Sequence, residues 1–152
     1  MLKRYIKANI LETIRDITSF GSPLTLVILV ALIFGINFIF WKIILGLAAV
    51  ELFGSLIKGL HYKRRPKEET HNNIMERINA GSFPSLHIAR SSFIFLMLFF
   101  LLNTYLVKVV AVVMILLVGI SRIRLKKHYF FDVVVGFLIG LIFSLIWMAF
   151  IM

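Results

Sequence analysis

The chain has 152 residues, 61% of them hydrophobic, 14% aromatic and only 16% charged. A soluble domain is about 45–50% apolar and about 25% charged, so one small core cannot take up the excess and lipid must solvate much of the surface. With no cysteine, disulfide scaffolds and thiolate metal sites are excluded, while 17 Lys and Arg against 7 Asp and Glu leave a net charge of +10 that calls for an anion: nucleic acid, anionic lipid or a phosphorylated substrate.

Residues 1–20 read as an amphipathic helix. Leu2, Ile6, Ile10, Ile14 and Ile17 recur at helical spacing, and Lys3, Arg4, Lys7, Glu12, Arg15 and Asp16 fill the other faces. The charges are too frequent for a span or a signal peptide, so a helix lying in the headgroup layer is expected. Gly21 can end it, Ser22 can cap the next helix and Pro23 suits a first turn. A charge-free run over 23–40 predicts the first membrane span, with Trp41 and Lys42 as its interface anchor. Residues 43–60 predict a second span in tight hairpin with the first, carrying Glu51 inside and Lys58 at its end. A polar segment, 61–83, follows, holding His61, Lys63, Arg64, Arg65, Lys67, Glu68, Glu69, His71, Glu76 and Arg77. Residues 84–102, 105–120 and 131–152 predict spans three to five, joined by a turn at Asn103–Thr104 and a basic loop over 121–128. In the last span Gly136, Gly140 and Ser144 form a small-residue stripe suited to close helix contact. The expected architecture is all-α and one domain over 1–152: an interfacial helix, 1–20, and a bundle of about five membrane helices, 23–152.

Five spans put every basic residue except Lys42 and Lys108 on one side of the bilayer. The positive-inside rule reads that side as cytoplasmic. An anion site where four helix ends converge accounts for the same charge. A nucleic-acid partner is not expected, because most of this charge lies beside lipid. Nor do charges nearly all at one end suit a permease, the non-enzymatic alternative, in which Glu51, Lys58 and Arg90 would line a path.

Three clusters on that face have spacings that suit chemistry. Lys58 and Arg65-Pro66 are seven residues apart, two helical turns, and project from one side if the helix continues; basic residues snorkelling at a helix end account for them equally. Pro84-Ser85-Leu86-His87 opens span three, so Ser85 can cap and His87 sits where a helix dipole welcomes an anion. Ser121-Arg122, His128 and Asp132 come next, with Asp132 one turn after His128. A carboxylate there can accept from one imidazole nitrogen and leave the other free, the orienting half of a triad with histidine as the reacting group. Glu51, an ionisable group inside a span, is expected to pair with Lys58 or Arg90.

Taken together, the three clusters resemble the pattern of the type 2 phosphatidic acid phosphatase superfamily: K-x6-RP, then PSGH, then SR-x5-H-x3-D. The matching positions are Lys58, Arg65 and Pro66; Pro84, Ser85 and His87; Ser121, Arg122, His128 and Asp132. The resemblance implies a membrane lipid phosphatase. His128 would attack phosphorus and form a phosphohistidine, oriented by Asp132; His87 would protonate the leaving oxygen and then activate water. Lys58, Arg65, Ser85 and Arg122 would hold the phosphate oxygens. It implies no cofactor and no metal, since cations alone can stabilise the transferred group. The expected substrate is a membrane lipid phosphate of the phosphatidate, phosphatidylglycerophosphate or polyprenyl diphosphate class. The same superfamily includes lipid phosphotransferases.

Two features depart from the pattern. Leu86 stands where the family has Gly, and five spans replace the usual six. The resemblance also implies a multi-pass protein of the cell membrane whose active face looks outward, against the cytoplasmic side favoured by the charge count.

Overall fold

A computed structural model describes residues 2–66 and 81–151, with side chains from residue 9 onward. Lys67, Glu68, Glu69, His71, Glu76 and Arg77, and the side chains of Leu2, Lys3, Arg4, Ile6 and Lys7, lie outside the described set. The described residues form six helices: α1 (Leu2–Ser19), α2 (Pro23–Phe34), α3 (Phe38–Leu60), α4 (Leu86–Leu101), α5 (Tyr105–Arg124) and α6 (Phe130–Ile151).

The start of α2 follows from its local sequence. Ser22 Oγ accepts from the Thr25 amide at 3.3 Å, and Pro23 occupies the first helical position. The hairpin to α3 turns earlier than expected. Gly35 takes a left-handed backbone with φ 65°, and Asn37 Oδ1 accepts from the Phe40 amide at 3.0 Å. Helix α2 therefore stops at Phe34 instead of running to residue 40, because a positive φ next to a side-chain cap breaks a helix without any charge. Trp41 and Lys42 fall in the first turns of α3. Lys42 Nζ donates to the Phe150 carbonyl at 2.7 Å, capping the far end of α6.

Three helices, α3, α5 and α6, are long and apolar enough to cross a membrane. The part of α1 from Asn9 to Ser19 and α2 make a pair bent by 60° at the break between them. Helix α2, at 12 residues, is only about 18 Å long. Helix α4 differs in kind. Its 16 residues span about 24 Å, and its buried positions run right around the helix, from Leu86 and Ile88 through Phe93 and Ile94 to Met97 and Leu98. It is the axis of the bundle, and α2, α3, α5 and α6 pack on it. The large exposed side chains, such as Leu24, Leu32, Leu45, Leu106 and Phe150, belong to the outer helices.

The small-residue stripe of α6 lies against α4. A methyl group on Gly136 would stand 2.5 Å from the Ser85 carbonyl oxygen, and one on Gly140 2.5 Å from that of Ala89. Those contacts draw the first turns of α4 and α6 together, and Ser85 N donates to the Asp132 carbonyl at 3.0 Å. The stripe thus brings the two histidine-bearing segments to one place. The amphipathic α1 packs chiefly on α5, at the same end of the bundle.

Candidate active site

The C-terminal ends of α3 and α5 and the N-terminal ends of α4 and α6 meet at one end of the bundle. Lys58 comes from the last turn of α3 and Arg122 from the last turn of α5. Arg65 lies beyond the helix, because α3 ends at Leu60; it reaches the cluster from an extended segment and not from a shared helical face. Ser85 occupies the N-cap position of α4 and His87 its first turn. His128 is in the α5–α6 loop and Asp132 in the first turn of α6. Lys58, Ser85, Arg122, His128 and Asp132 are all buried.

His128 does not bond Asp132. Its Nδ1 lies 2.5 Å from the Ser82 carbonyl oxygen. A carbonyl only accepts, so Nδ1 carries the proton and Nε2 keeps its lone pair. That nitrogen faces Arg122 Nη2 at 3.5 Å, and a guanidinium only donates, which fixes the same tautomer. The Asp132 carboxylate instead accepts from Lys63 Nζ at 2.6 Å and from the Tyr129 amide at 2.9 Å. The expected carboxylate–imidazole pair is thus replaced: a backbone carbonyl orients the ring, and Asp132 ties the loop bearing His128 to the segment after α3. Ser82 is itself anchored, its amide donating to the Lys63 carbonyl at 2.7 Å and its hydroxyl to that of Arg64 at 3.1 Å.

His87 is held the opposite way. Its Nδ1 faces Arg90 Nη2 at 3.3 Å. The guanidinium must donate, so Nδ1 accepts and the proton of the neutral ring sits on Nε2. Arg90 also donates to Glu51 Oε2 at 2.8 Å and to the Gly21 carbonyl at 3.2 Å. Glu51 is therefore the ion-pair partner of Arg90.

The electrostatics favour an anion. Lys58, Arg65 and Arg122 are close enough to repel one another. Among the described residues, Asp132 is engaged by Lys63 and Glu51 by Arg90. Lys58 and Arg122 are buried, and a buried cation is favoured by a ligand that brings opposite charge. In the same cluster the buried Ser85 Oγ and Arg122 Nε have no hydrogen-bond partner, so each is open to a ligand. Ser85 was expected to cap α4, yet it makes no side-chain cap bond, which leaves its hydroxyl available. Burial above all, then the Arg122 cation, pushes the His128 imidazole down to about 3, with the Ser82 carbonyl pulling the other way. The ring is neutral at physiological pH. No group of three His, Asp or Glu side chains that could hold a metal ion occurs among the described residues.

Leu86, the departure from the glycine of the sequence pattern, turns its side chain onto α3. Its Cδ2 fills the space that a methyl group on Gly54 would need. The added bulk is thus taken up by a glycine on the neighbouring helix.

Sequence reasoning missed Ser82 and Lys63. Ser82 acts through its backbone oxygen, which no side-chain pattern reveals. Lys63 was one basic residue in a run of them, and only its 2.6 Å contact with Asp132 sets it apart.

The PAP2 superfamily matches the chain over residues 39–152. No curated protein matches it. Among solved structures it is similar to the transmembrane PAP2-type phosphatidylglycerolphosphate phosphatase from Bacillus subtilis, with a TM-score of 0.76 and 23% identity, over 93% of this chain and 76% of that one. The family model covers well over half of the chain and the all-helical membrane fold agrees with it: the chain belongs to the PAP2 superfamily.

Proposed function

We propose that this protein is a metal-independent lipid phosphatase of the cell membrane, hydrolysing a lipid phosphomonoester or pyrophosphate through a phosphohistidine on His128. The observation that carries this reading is the tautomer of His128. With Nδ1 committed to the Ser82 carbonyl, the Nε2 lone pair faces the Arg122 guanidinium, where an incoming phosphate would be bound.

In the first half-reaction Nε2 of His128 attacks phosphorus, and the bond from phosphorus to the lipid oxygen breaks. That oxygen takes a proton from His87, which enters this step as imidazolium, favoured by the charge of the bound phosphate, and leaves it as the neutral ring. In the second half water attacks the phosphohistidine, gives its proton to His87, and inorganic phosphate leaves with the P–N bond broken. Lys58, Arg65, Arg122, Ser85 Oγ and the first amides of α4 hold the phosphoryl oxygens and stabilise their growing charge. Asp132 acts at one remove, by fixing the loop that carries His128. The site lies at the helix ends near α1, and with the amphipathic α1 read as an interfacial helix it would sit at the depth of a lipid headgroup. That position favours phosphatidate, phosphatidylglycerophosphate or a polyprenyl diphosphate over a soluble phosphate ester.

The test is phosphate release from these three lipids in detergent micelles with chelator present. Parental protein is expected to release phosphate and His128→Ala to release none. Full activity in His128→Ala, or an absolute need for a divalent ion, contradicts the mechanism. Adding an alcohol acceptor separates a hydrolase from a phosphotransferase by its product. The outward orientation of the site is tested in a chain with no native cysteine: Arg124→Cys should be labelled by an impermeant thiol reagent from outside intact cells, and Thr104→Cys should not.

A further inference from the structure

We infer that the α1–α2 elbow, through Thr18 and Gly21, is a positioning element of the catalytic site, setting Arg122 by one contact and His87 by another. The inference rests on the lipid-phosphatase reading above. The elbow precedes residue 39, where the match to the family begins, so the family's motifs do not predict it.

Gly21 works on His87 in two ways. Its carbonyl accepts from Arg90 Nε at 3.2 Å, and the same guanidinium donates to His87 Nδ1 at 3.3 Å and to Glu51 Oε2 at 2.8 Å. A planar guanidinium with three partners on three elements has little freedom to turn. Gly21 also lies directly against the histidine: a methyl group there would stand 2.9 Å from His87 Cβ and 3.0 Å from the His87 carbonyl oxygen. Any side chain at position 21 must therefore move His87 or the start of α4.

Thr18 works on Arg122. Its Oγ1 lies 2.7 Å from Ser121 Oγ and 3.5 Å from Arg122 Nη1. Proton counting orders these contacts. Ser121 Oγ gives its one proton to the Val118 carbonyl at 2.7 Å. Thr18 must then donate to Ser121, which turns its lone pairs toward Arg122. The last turn of α1 thereby supports the cation that faces His128, while the residue that ends the elbow supports the other histidine. A helix lying along the headgroups is in this way joined to both halves of the site.

The experiment measures kcat, KM and pH profile for phosphatidate in detergent micelles, for the parent, Gly21→Ala, Thr18→Val and Thr18→Ser. It also records 15N spectra of the four histidines. Gly21→Ala is expected to lower kcat about tenfold with KM little changed, because a misplaced proton donor affects the reacting step. It should displace the limb of the pH profile that belongs to His87 and shift the His87 nitrogen signals, leaving those of His61 in place. Thr18→Val is expected to raise KM by roughly three- to tenfold while kcat holds, the loss of one contact to a phosphate-binding cation. Thr18→Ser, which keeps the hydroxyl, should restore it. Parental kcat and unmoved His87 signals in Gly21→Ala, or parental KM in Thr18→Val, overturns the inference, as does Thr18→Ser behaving like Thr18→Val. If the parent hydrolyses no lipid phosphate, the proposed function fails; the His87 signals still decide the elbow, since they need no turnover. If Gly21→Ala does not fold, the two Thr18 variants decide it alone.

Discussion

The two histidines of the site are the same side chain held in opposite ways. His128 lies in a loop, with its Nδ1 against a backbone carbonyl and its Nε2 turned to a guanidinium. His87 lies in a helix first turn, with its Nδ1 turned to a guanidinium. An acceptor against Nδ1 leaves a lone pair at Nε2; a donor against Nδ1 leaves a proton there. In the proposed mechanism the first ring presents a lone pair to phosphorus and the second an N–H to the leaving oxygen, and neither orientation needs a neighbouring carboxylate. The carboxylates act further out: Glu51 fixes the arginine that holds His87, and Asp132 fixes the loop that holds His128.

The strongest way to break this comparison is to remove each ring in turn and vary the leaving group. His128→Ala should lose about four orders of magnitude in kcat, whatever leaves, because no nucleophile remains. His87→Ala should lose about 10²- to 10³-fold on an alkyl phosphate such as phosphatidate. On a nitrophenyl ester, whose leaving oxygen needs no proton, its loss should shrink to roughly tenfold. Equal losses on both esters would remove the proton-donor role from His87.

Asp132→Asn sharpens the comparison at smaller scale. The amide oxygen can still accept from the Tyr129 amide, but the ion pair with Lys63 is gone. If Asp132 only braces the loop, activity falls about tenfold and Lys63→Met reproduces the effect. A loss as large as that of His128→Ala would mean that Asp132 acts on the imidazole directly.

The last expected effect is on stability rather than on turnover. The folded protein holds His128 neutral down to about pH 3, whereas the free side chain takes a proton near pH 6.5. Between those values the unfolded chain binds the extra proton, so stability falls as pH drops through that window, by up to about 1.4 kcal/mol per pH unit. Thermal unfolding in detergent, free of phosphate, should show this slope in the parent and a shallower one in His128→Asn. Equal slopes would mean that His128 is not held neutral.

How much of this was legible from the residues depends on whether side chains or backbone carry the feature. Lys58, Arg65, Ser85, His87, Arg122, His128 and Asp132 stood out because their combined order and spacing resemble the superfamily's pattern, and the fold brings them to one end of the bundle. The start of α2 was equally plain, because Ser22 and Pro23 are strong local signals. The α2–α3 turn was not. Trp41 and Lys42, at the end of a long apolar run, were read as the interface anchor of the first span, but Lys42 reaches the Phe150 carbonyl from within α3 while Gly35 and Asn37 make the turn. The burial of α4 on every side was hidden too, because an apolar helix facing protein and one facing lipid have the same composition. The partner of His128 is a main-chain oxygen. An i, i+4 spacing suggested Asp132 for that role, but α6 begins at Phe130, so His128 and Asp132 do not share a helical turn.

The division of labour between the two rings is tested most directly by trapping the intermediate. Parental protein quenched during turnover of phosphatidate labelled in its phosphate should carry the label on one peptide, as an alkali-stable, acid-labile phosphate on Nε2 of His128. The label on His87, on Nδ1 of His128, or on no residue while phosphate is still released would contradict the account.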